Sequence, residues 1–463
     1  MIGQIFKAYD VRATYPDKLN ENAAWKVGYA AATYLKKQND GNVGNVLVSC
    51  DMRPSSPSLV KALIEGIRTA GMNVIDLGMC DTSFIYFAIN YLAAVGGIQT
   101  TASHNPINYN GFKISGKLAK PIGAATGLKD IQALAEALPG DNTVQGEKPQ
   151  QGTLQEVDLW DEYRKHVLSF LKLGDKPLKV FVDASNGMAG RMVPKVFDNI
   201  PGLEIIPVNF EITGSFVHEP NPLVAENMIP TQEGTRQHNA AFGACFDGDA
   251  DRCMLTDEKG EIVACDHLTA LLTKPFLDEE PGSTIVYDLR SSKVVEESIL
   301  ALGGKPSKGR VGHVNMKAML RETQGIFGGE LSGHFYFKNN FYTDSGAIAF
   351  AAVASLLSQS DMTLSEMIAP LKKYPQSGEI NFVVDDKDAV IESLKKTYSD
   401  TTQENLDGVT FDAWDSKGFW FNVRASNTEP LLRLNAEAKD PAALAALLKE
   451  LKPMLGTQDT GGH

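Results

Sequence analysis

The 463-residue sequence is poor in cysteine. Its five cysteines, Cys50, Cys80, Cys245, Cys253 and Cys265, are odd in number and scattered, and they form no C-x-x-C pair. That argues against a zinc framework or a disulfide scaffold and for a reducing compartment. Long apolar runs are lacking too. A stretch such as Ala347–Leu357 falls well short of the ~20 residues that a bilayer-spanning helix needs. The opening MIGQIFKAYDVR carries charge early and has no apolar h-region, so no secretory signal and no membrane partner are expected, and the expected location is cytoplasmic. Basic residues are in the minority, 44 against 57 acidic, for a net charge of −13. A general nucleic-acid binder would show a basic stripe. An anionic small molecule can still be held by a local cluster of Arg, Lys and backbone N–H groups. What remains is ordinary globular composition, 43% apolar and 22% charged. At roughly 100–200 residues per domain the length suits two to four domains.

Three segments share one design: an apolar run, then Asp, then a small or polar turn, then a helix signal. They are Val46–Ser49 with Asp51 (VLVSCDMRPSS), Val180–Val182 with Asp183 (VFVDASNGM) and Ile285–Tyr287 with Asp288 (IVYDLRSSK). Short β-branched runs that end in turn chemistry predict buried strands. Each is followed by a second pattern, in which Gly leads into a short strand and then a polar loop: Thr100–Asn105, Asp247–Arg252 and Glu330–His334. The lags from Asp51 to Ser103, Asp183 to Asp247 and Asp288 to Glu330 differ, so the chain is no fixed-period solenoid but three related α/β units with insertions. The last ninety residues read differently. Glu379–Val384, Val409–Trp414, Phe419–Val423 and Leu431–Ala438 are strand-like, and Lys387–Lys396 and Pro441–Leu451 helical, an α+β layer. Boundary signals fall at Pro139–Gly152, Asp257–Gly260 and Pro370–Ser377, and the polar tail Gly456–His463 is expected to fray.

Four loops carry chemistry. In TTASHNP, Ser103 sits between small residues and His104, ahead of Pro106, which keeps it on a turn. A serine there is either a phosphoryl acceptor with a proton shuttle beside it or the cap of an ST-turn; the loop lacks G-x-S-x-G, which argues against a hydrolase elbow. In DGDADR, Asp247, Asp249 and Asp251 repel one another unless a cation sits among them, and hard oxygens select Mg²⁺ or Ca²⁺. Glu258 lies at the twelfth EF-hand position, but Arg252 stands where that loop needs Gly and a strand leads in. Arg252 suits a phosphate neighbour. GGELSGH offers Glu330, Ser332 and His334 among glycines, room for a small polyol, or else a helix N-terminus capped by Ser332. RASNTEP, between two strands, is either a nest for an anion or a hairpin turn. Together the loops suit a phosphorylated sugar with a phosphoryl group moved at one end.

These four motifs, in order and spacing, resemble the active-site loops of the α-D-phosphohexomutase superfamily, most closely its bacterial phosphomannomutase/phosphoglucomutase branch. FKAYDVR, YDLR and VGHVNMK are similar too, so that the resemblance runs from Phe6 to about Ala438. It implies three related mixed-sheet α/β domains and a smaller α+β C-terminal domain, here 1–150, 151–257, 258–371 and 372–463. It implies an isomerase that interconverts hexose 1- and 6-phosphates of glucose, mannose or both through a phosphoserine and a 1,6-bisphosphate. Ser103 would carry the phosphate and join Asp247, Asp249 and Asp251 around one Mg²⁺ per chain, with glucose 1,6-bisphosphate as activator. Arg12 and Lys113 match positions that steady the phosphoryl group, and His104, Arg12 and Lys113 are the candidates for proton transfer. Tyr9, Arg252, Arg290, His313 and His334 match substrate contacts, Glu330 and Ser332 the sugar hydroxyl readers, and Arg424, Ser426, Asn427 and Thr428 the distal phosphate clamp. The chain departs from the family pattern in Arg290, where relatives often have Lys, and in Val11 and Ala13 flanking Arg12. A phosphoglucosamine mutase is the alternative, but that branch usually has Gln in the sugar loop and Gly in the last, where Leu331 and Asn427 stand. A Mg²⁺-dependent phosphosugar phosphatase and an inactive binding protein are more distant alternatives. The expected partner is a phosphosugar, with no nucleic acid, and the expected state a monomer or weak dimer.

Overall fold

Val46, Leu47 and Val48 are buried on both faces of their strand, as a central parallel strand requires. In the computed structural model, which describes residues 2–140, 149–425 and 431–459, the chain divides into two compact units. The first comprises Met1–Val263, Leu320–Gln324 and Ser332–Ser365; the second comprises Ala264–Met319, Gly325–Leu331 and Glu366–His463. Among the described residues no helix is long and apolar enough to cross a membrane.

The first unit begins with a six-stranded sheet. Its strands are β1 (Val11–Thr14), β2 (Asn45–Cys50), β3 (Asn73–Met79), β4 (Gly96–Thr100), β5 (Tyr109–Gly116) and β6 (Leu154–Glu156), in the order β1-β5-β4-β2-β3-β6. β2 is parallel to β3 and β4, while β5 runs antiparallel to both β4 and β1. Helices α1 (Glu21–Gln38), α2 (Ser56–Thr69) and α3 (Thr82–Tyr91) connect these strands. Asn20 caps α1 by accepting from Ala23 N, and Asp81 caps α3 by accepting from Phe84 N. The core between α1, α2 and the sheet is apolar: Val27, Ala31, Leu63, Ile67, Val48 and Ile98 are all fully enclosed. A second mixed sheet follows, of β7 (Leu178–Asp183), β8 (Leu203–Val208), β9 (Phe242–Phe246), β10 (Cys253–Thr256) and β11 (Ile262–Val263), in the order β11-β10-β9-β7-β8. Asp257–Gly260 is the hairpin turn between β10 and β11.

The second unit holds the parallel strands β12 (Thr284–Asp288), β13 (Lys305–Gly309) and β14 (Phe327–Gly329), with β12 in the middle. The short antiparallel pair β15 (Phe335–Phe337) and β16 (Thr343–Asp344) belongs to the first unit. The orders β3-β2-β4, β8-β7-β9 and β13-β12-β14 are the same arrangement three times, each with the strand that leads into the Asp turn at its centre. The polar loops leave the third strand of each repeat, at β4, β9 and β14. They share the carboxyl end of the parallel strands with the Asp turns, the end where open α/β sheets bind ligands.

The C-terminal segment, also in the second unit, is a six-stranded sheet of β17 (Gln376–Val383), β18 (Thr402–Glu404), β19 (Val409–Ala413), β20 (Phe419–Ala425), β21 (Leu431–Ala438) and β22 (Thr457–Gln458), in the order β18-β19-β20-β21-β17-β22. Asp440 caps the helix Pro441–Leu455, accepting from Ala443 N, with Pro441 in the first turn. Leu447, Leu451 and Leu455 of that helix join one buried cluster with Phe382, Phe411, Phe421 and Leu434 of the sheet. One expectation fails here. The tail does not fray from Gly456, because Thr457 and Gln458 pair with β17 and Asp459 N donates to Asn381 O. Part of the expected linker Pro139–Gly152, and the end of the tail, lie outside the described residues.

Candidate active site

Ser103 follows β4 with a left-handed backbone, φ +51°, a conformation that non-glycine residues adopt at a cost of the order of 1 kcal/mol or more and only where the surroundings impose it. Its N–H donates to Thr101 Oγ1 at 2.8 Å, so the ST-turn is real, and it presents the serine rather than merely capping a helix. The serine is 1% exposed. Its hydroxyl has two acceptors in reach, Asp247 Oδ2 at 3.0 Å and His104 Nδ1 at 3.2 Å. Burial, then the charges of Arg252, Arg12 and Lys113, hold the His104 imidazole well below its usual pKa and therefore neutral near pH 7.

The loop Asp247–Arg252 follows β9. Gly248 has no room for a side chain, since a Cβ there would run into the Ser103 carbonyl. Asp247, Asp249 and Asp251 are fully buried, each with a carboxylate oxygen within 4.8 Å of the others. Lys113, on β5, reaches Asp249 Oδ2 at 2.7 Å and Asp251 Oδ2 at 2.6 Å. Burial works against the Lys113 charge, but the two carboxylates outweigh it and hold the ammonium well above its ordinary pKa. Asp247 is pushed up, first by burial and then by Asp251 and Asp249. Asp249 Oδ1 is buried and accepts no hydrogen bond, while its Oδ2 also receives the Thr82 hydroxyl at 2.5 Å. Three hard oxygen donors, two of them (Asp249 and Asp251) with a buried Oδ1 that accepts no hydrogen bond, fit a divalent cation such as Mg²⁺. Glu258, the would-be EF-hand ligand, faces elsewhere and accepts from Ser365 N and Oγ.

Arg12, on β1, donates to Asn105 Oδ1 at 2.6 Å and pairs with Asp10. The Arg252 guanidinium lies 3.6 Å from Asp247 and 3.4 Å from His334 Nε2. His334 Nε2 is also 3.4 Å from Asp251, and its Nδ1 is 2.8 Å from Ser332 Oγ. Ser332 is thus a partner of His334 and caps no helix. Asp251, His334 and Asp344 form a second cluster that could hold a metal ion. The first unit therefore brings together Arg12, Ser103, His104, Lys113, the three aspartates, Arg252, Ser332 and His334. Tyr9 is half-buried in the same unit.

The second unit carries another set. Glu330 accepts from Gly312 N at 2.7 Å and lies 3.9 Å from Arg290. Arg290 pairs with Asp288 at 2.8 Å and with Glu379 at 3.3 Å. Arg424 and Arg433 also meet Glu379, at 3.4 and 3.3 Å. His313 opens the helix His313–Glu322. Ser426, Asn427 and Thr428 lie outside the described residues. Sequence reasoning did not assign Asp10, Arg53, Thr82, Asp344, Glu379 or Arg433. Of these only Arg53 left a signal, because Asp51-x-Arg53 repeats the spacing of Asp288-x-Arg290.

This fold, with acidic and basic side chains gathered at its strand ends, defines a phosphotransferase of the mutase class. Residues 3–139, 161–260, 264–374 and 379–453 match, in order, α/β/α domains I, II and III and the C-terminal domain of phosphoglucomutase/phosphomannomutase. The chain belongs to that family, in the bacterial branch of the α-D-phosphohexomutases, and is an isomerase acting on hexose phosphates. It is 39% identical over 447 residues to the phosphohexose mutases of Xanthomonas campestris, covering 95% of this chain and 96% of that protein. It is 38% identical over 450 residues to a phosphomannomutase of Vibrio cholerae, covering 95% of each. A solved phosphoglucomutase/phosphomannomutase family protein from Burkholderia thailandensis superposes with a TM-score of 0.87 at 30% identity, covering 98% of this chain and 97% of that one. The parafusin phosphoglucomutase of Paramecium shares the fold, with a TM-score of 0.76 at 16% identity and coverage of 97% and 94%. The family is Mg²⁺-dependent, and the buried acidic cluster could hold that ion.

Proposed function

We propose that the enzyme interconverts hexose 1-phosphate and hexose 6-phosphate, of glucose, mannose or both, through phosphorylated Ser103 and a hexose 1,6-bisphosphate. The observation that carries this reading is the Ser103 hydroxyl, buried in a left-handed turn and within 3.2 Å of both a carboxylate and a neutral imidazole. The phosphoryl group on Ser103 passes to the free hydroxyl of the substrate; the Ser103 oxygen keeps the bonding pair and the substrate hydroxyl loses its proton. The bisphosphate then turns over and returns its other phosphoryl group to Ser103. Asp247, Asp249, Asp251 and the phosphate on Ser103 would hold one Mg²⁺, which when bound neutralises charge on the transferring group. Arg12 and Lys113 steady that group, and Arg252 sits on its flank. His104, Arg12 and Lys113 are the candidates for proton transfer; neutral His104 is suited to take a proton, whereas the two carboxylates hold the proton on Lys113. His334, oriented by Ser332, contacts the substrate beside Arg252, as does Tyr9.

From the second unit, Glu330 reads sugar hydroxyls that glucose and mannose share, which supports dual use. Arg290 and His313 contact the substrate, and Arg424, with Ser426, Asn427 and Thr428, is assigned to the clamp on the other phosphate. In this reading the chain is divided functionally into 1–150 with the serine loop, 151–257 with the metal loop, 258–371 with the sugar loop and 372–463 with the phosphate loop. It works as a monomer or weak dimer, primed by glucose 1,6-bisphosphate. Coupled assays with glucose, mannose and N-acetylglucosamine 1-phosphates, with and without a bisphosphate, test it. Turnover of the first two, stimulated by bisphosphate, is expected. A burst of inorganic phosphate without the 6-phosphate isomer would overturn it in favour of a phosphatase.

A further inference from the structure

Arg53 is among the most deeply buried large side chains of the protein, with its side chain fully enclosed. All five of its guanidinium N–H groups are spent. Nε donates to Asp51 Oδ2 at 3.1 Å; Nη1 donates to the carbonyls of Pro106 at 2.6 Å and Tyr109 at 3.0 Å; Nη2 donates to those of Ser103 at 2.8 Å and Asn105 at 2.6 Å. Asp51 is in turn fixed by the Arg53 N–H and by the Ser56 hydroxyl at 2.8 Å. The loop from Ser103 to Asn108 is irregular, so its carbonyls have no ladder to satisfy them, and one planar side chain gathers three of them together with that of Tyr109, the first residue of β5. A buried ion pair contributes little to stability compared with apolar residues of equal volume. What this pair does supply is one fixed geometry for the loop that carries Ser103.

The other repeats contain the same device. Behind β7, Ser185 N donates to Asp183 Oδ1, and Ser185 Oγ donates to the carbonyl of Phe246, the residue before Asp247. Behind β12, Arg290 N donates to Asp288 Oδ1, and Asp288 Oδ2 accepts from Leu331 N, the residue after Glu330. Each Asp turn thus fastens the functional loop of its own repeat. Arg53 and Arg290 hold equivalent positions, but Arg290 reaches out to Glu379 whereas Arg53, beyond its pair with Asp51, is turned onto backbone carbonyls.

We infer that Arg53 is a positioning residue for phosphoryl transfer, which holds the Ser103 carbonyl and the turn behind it so that Oγ meets Asp247 and His104. The inference rests on Ser103 being the phosphoryl carrier. The test compares Arg53→Lys, Ser56→Ala and Ser103→Ala with wild type, by thermal unfolding, steady-state kinetics on glucose 1-phosphate and intact-mass measurement of phosphoserine. An ammonium cannot span four carbonyls, so Arg53→Lys should lose about 100-fold in kcat with KM within about twofold of wild type. Its phosphoserine should be lost to water faster. Ser56→Ala loosens Asp51 and removes one of the two hydroxyls to which Asn110 Nδ2 donates, leaves Arg53 in place, and should show the same split on a smaller scale, roughly 3- to 10-fold. A folded Arg53→Lys protein with wild-type kcat overturns the inference, as does a lowered melting temperature with kcat unchanged. Should Arg53→Lys fail to fold, Ser56→Ala decides: wild-type kcat and phosphoserine lifetime there would overturn it. Full activity in Ser103→Ala would instead remove the phosphoserine reading itself.

Discussion

In the first unit three buried carboxylates converge and a single ammonium, Lys113, bridges two of them. In the second unit three guanidinium groups, those of Arg290, Arg424 and Arg433, converge on the single carboxylate of Glu379. The two clusters are opposite in sign; Arg252 adds a second positive charge beside Asp247 in the first, and Asp288 a second carboxylate on Arg290 in the other. The acidic one has the hard oxygens to take a cation, and the guanidinium one has the forked donors to take an anion. They differ as well in how they are held. The acidic cluster is sealed in a left-handed loop, with Ala250 at φ +58° as well as Ser103, and is gripped by backbone contacts. The guanidinium cluster draws Arg424, Arg433 and Glu379 from strands and Arg290 from the turn after β12, and is partly open, with Glu379 27% exposed. Substitutions in the first should therefore act on chemistry, and substitutions in the second on grip.

The sharpest test of that contrast is Ser103→Ala. It should reduce turnover by four orders of magnitude or more, roughly the loss expected when a covalent carrier is removed, with little change in melting temperature because the side chain packs against no apolar core. Intact mass should show one phosphate on the wild-type Ser103 peptide and none in the variant. Next is Asp249→Asn, which keeps size and removes one charge. Weaker Mg²⁺ binding by calorimetry is expected, together with a loss of about 100- to 1,000-fold in kcat. The apoprotein should be no less stable, since a buried like-charge neighbour is gone. Mg²⁺ affinity equal to wild type would break the assignment of the acidic cluster. In the other cluster, Arg424→Ala should cost on the order of 10- to 150-fold in kcat/KM, the equivalent of one charge-assisted hydrogen bond at ~1.5–3 kcal/mol. It should also release hexose bisphosphate, measured by rapid quench, and lean harder on added activator. Arg424→Lys should rescue only in part, because a point charge lacks the fork.

Much of this was legible in the sequence, because much of it is local. Leu431–Ala438 reads as a strand from its own residues and is one. The Asp-x-Asp-x-Asp spacing announces a cation site without reference to anything distant. The tail strand at Thr457 was not legible, since it exists only because β17 offers an edge. Arg53 was visible as part of a repeat, but its role depends on carbonyls fifty residues away in sequence. Thr82 and Arg433 carry no local mark at all; Thr82 meets Asp249 and Arg433 meets Glu379, contacts that chain order does not reveal. GGELSGH reads as one motif, yet Glu330 belongs to one unit and Ser332 and His334 to the other.

The smallest effect separates buried acid used for chemistry from buried acid used for fastening. Glu437, on β21, accepts from Lys293 N at 2.9 Å, from Trp420 Nε1 at 2.7 Å and from the Ser292 hydroxyl, tying the C-terminal sheet to the start of the helix Lys293–Ala301 within the second unit. Burial first, with Asp266 adding, pushes its carboxyl up to about 7 against the lowering effect of those three donors. An unfolded chain releases the same proton near 4.3. Between those two values the folded state binds the proton and the unfolded state does not, so the contribution to stability is full below about pH 4.3 and is lost as the pH rises through about 7. The slope is at most about 1.4 kcal/mol per pH unit. Glu437→Gln resembles the protonated acid and has nothing to lose. Its unfolding free energy relative to wild type should therefore improve by about 2 kcal/mol between pH 5 and pH 8, read from urea titrations at each pH. Its kcat at pH 7 should stay within about twofold of wild type, since no catalytic group is touched. A pH-independent difference would mean that Glu437 is ionised throughout and held by its donors alone, and a large fall in kcat would mean that the second unit, like the first, puts its buried acid to work in catalysis.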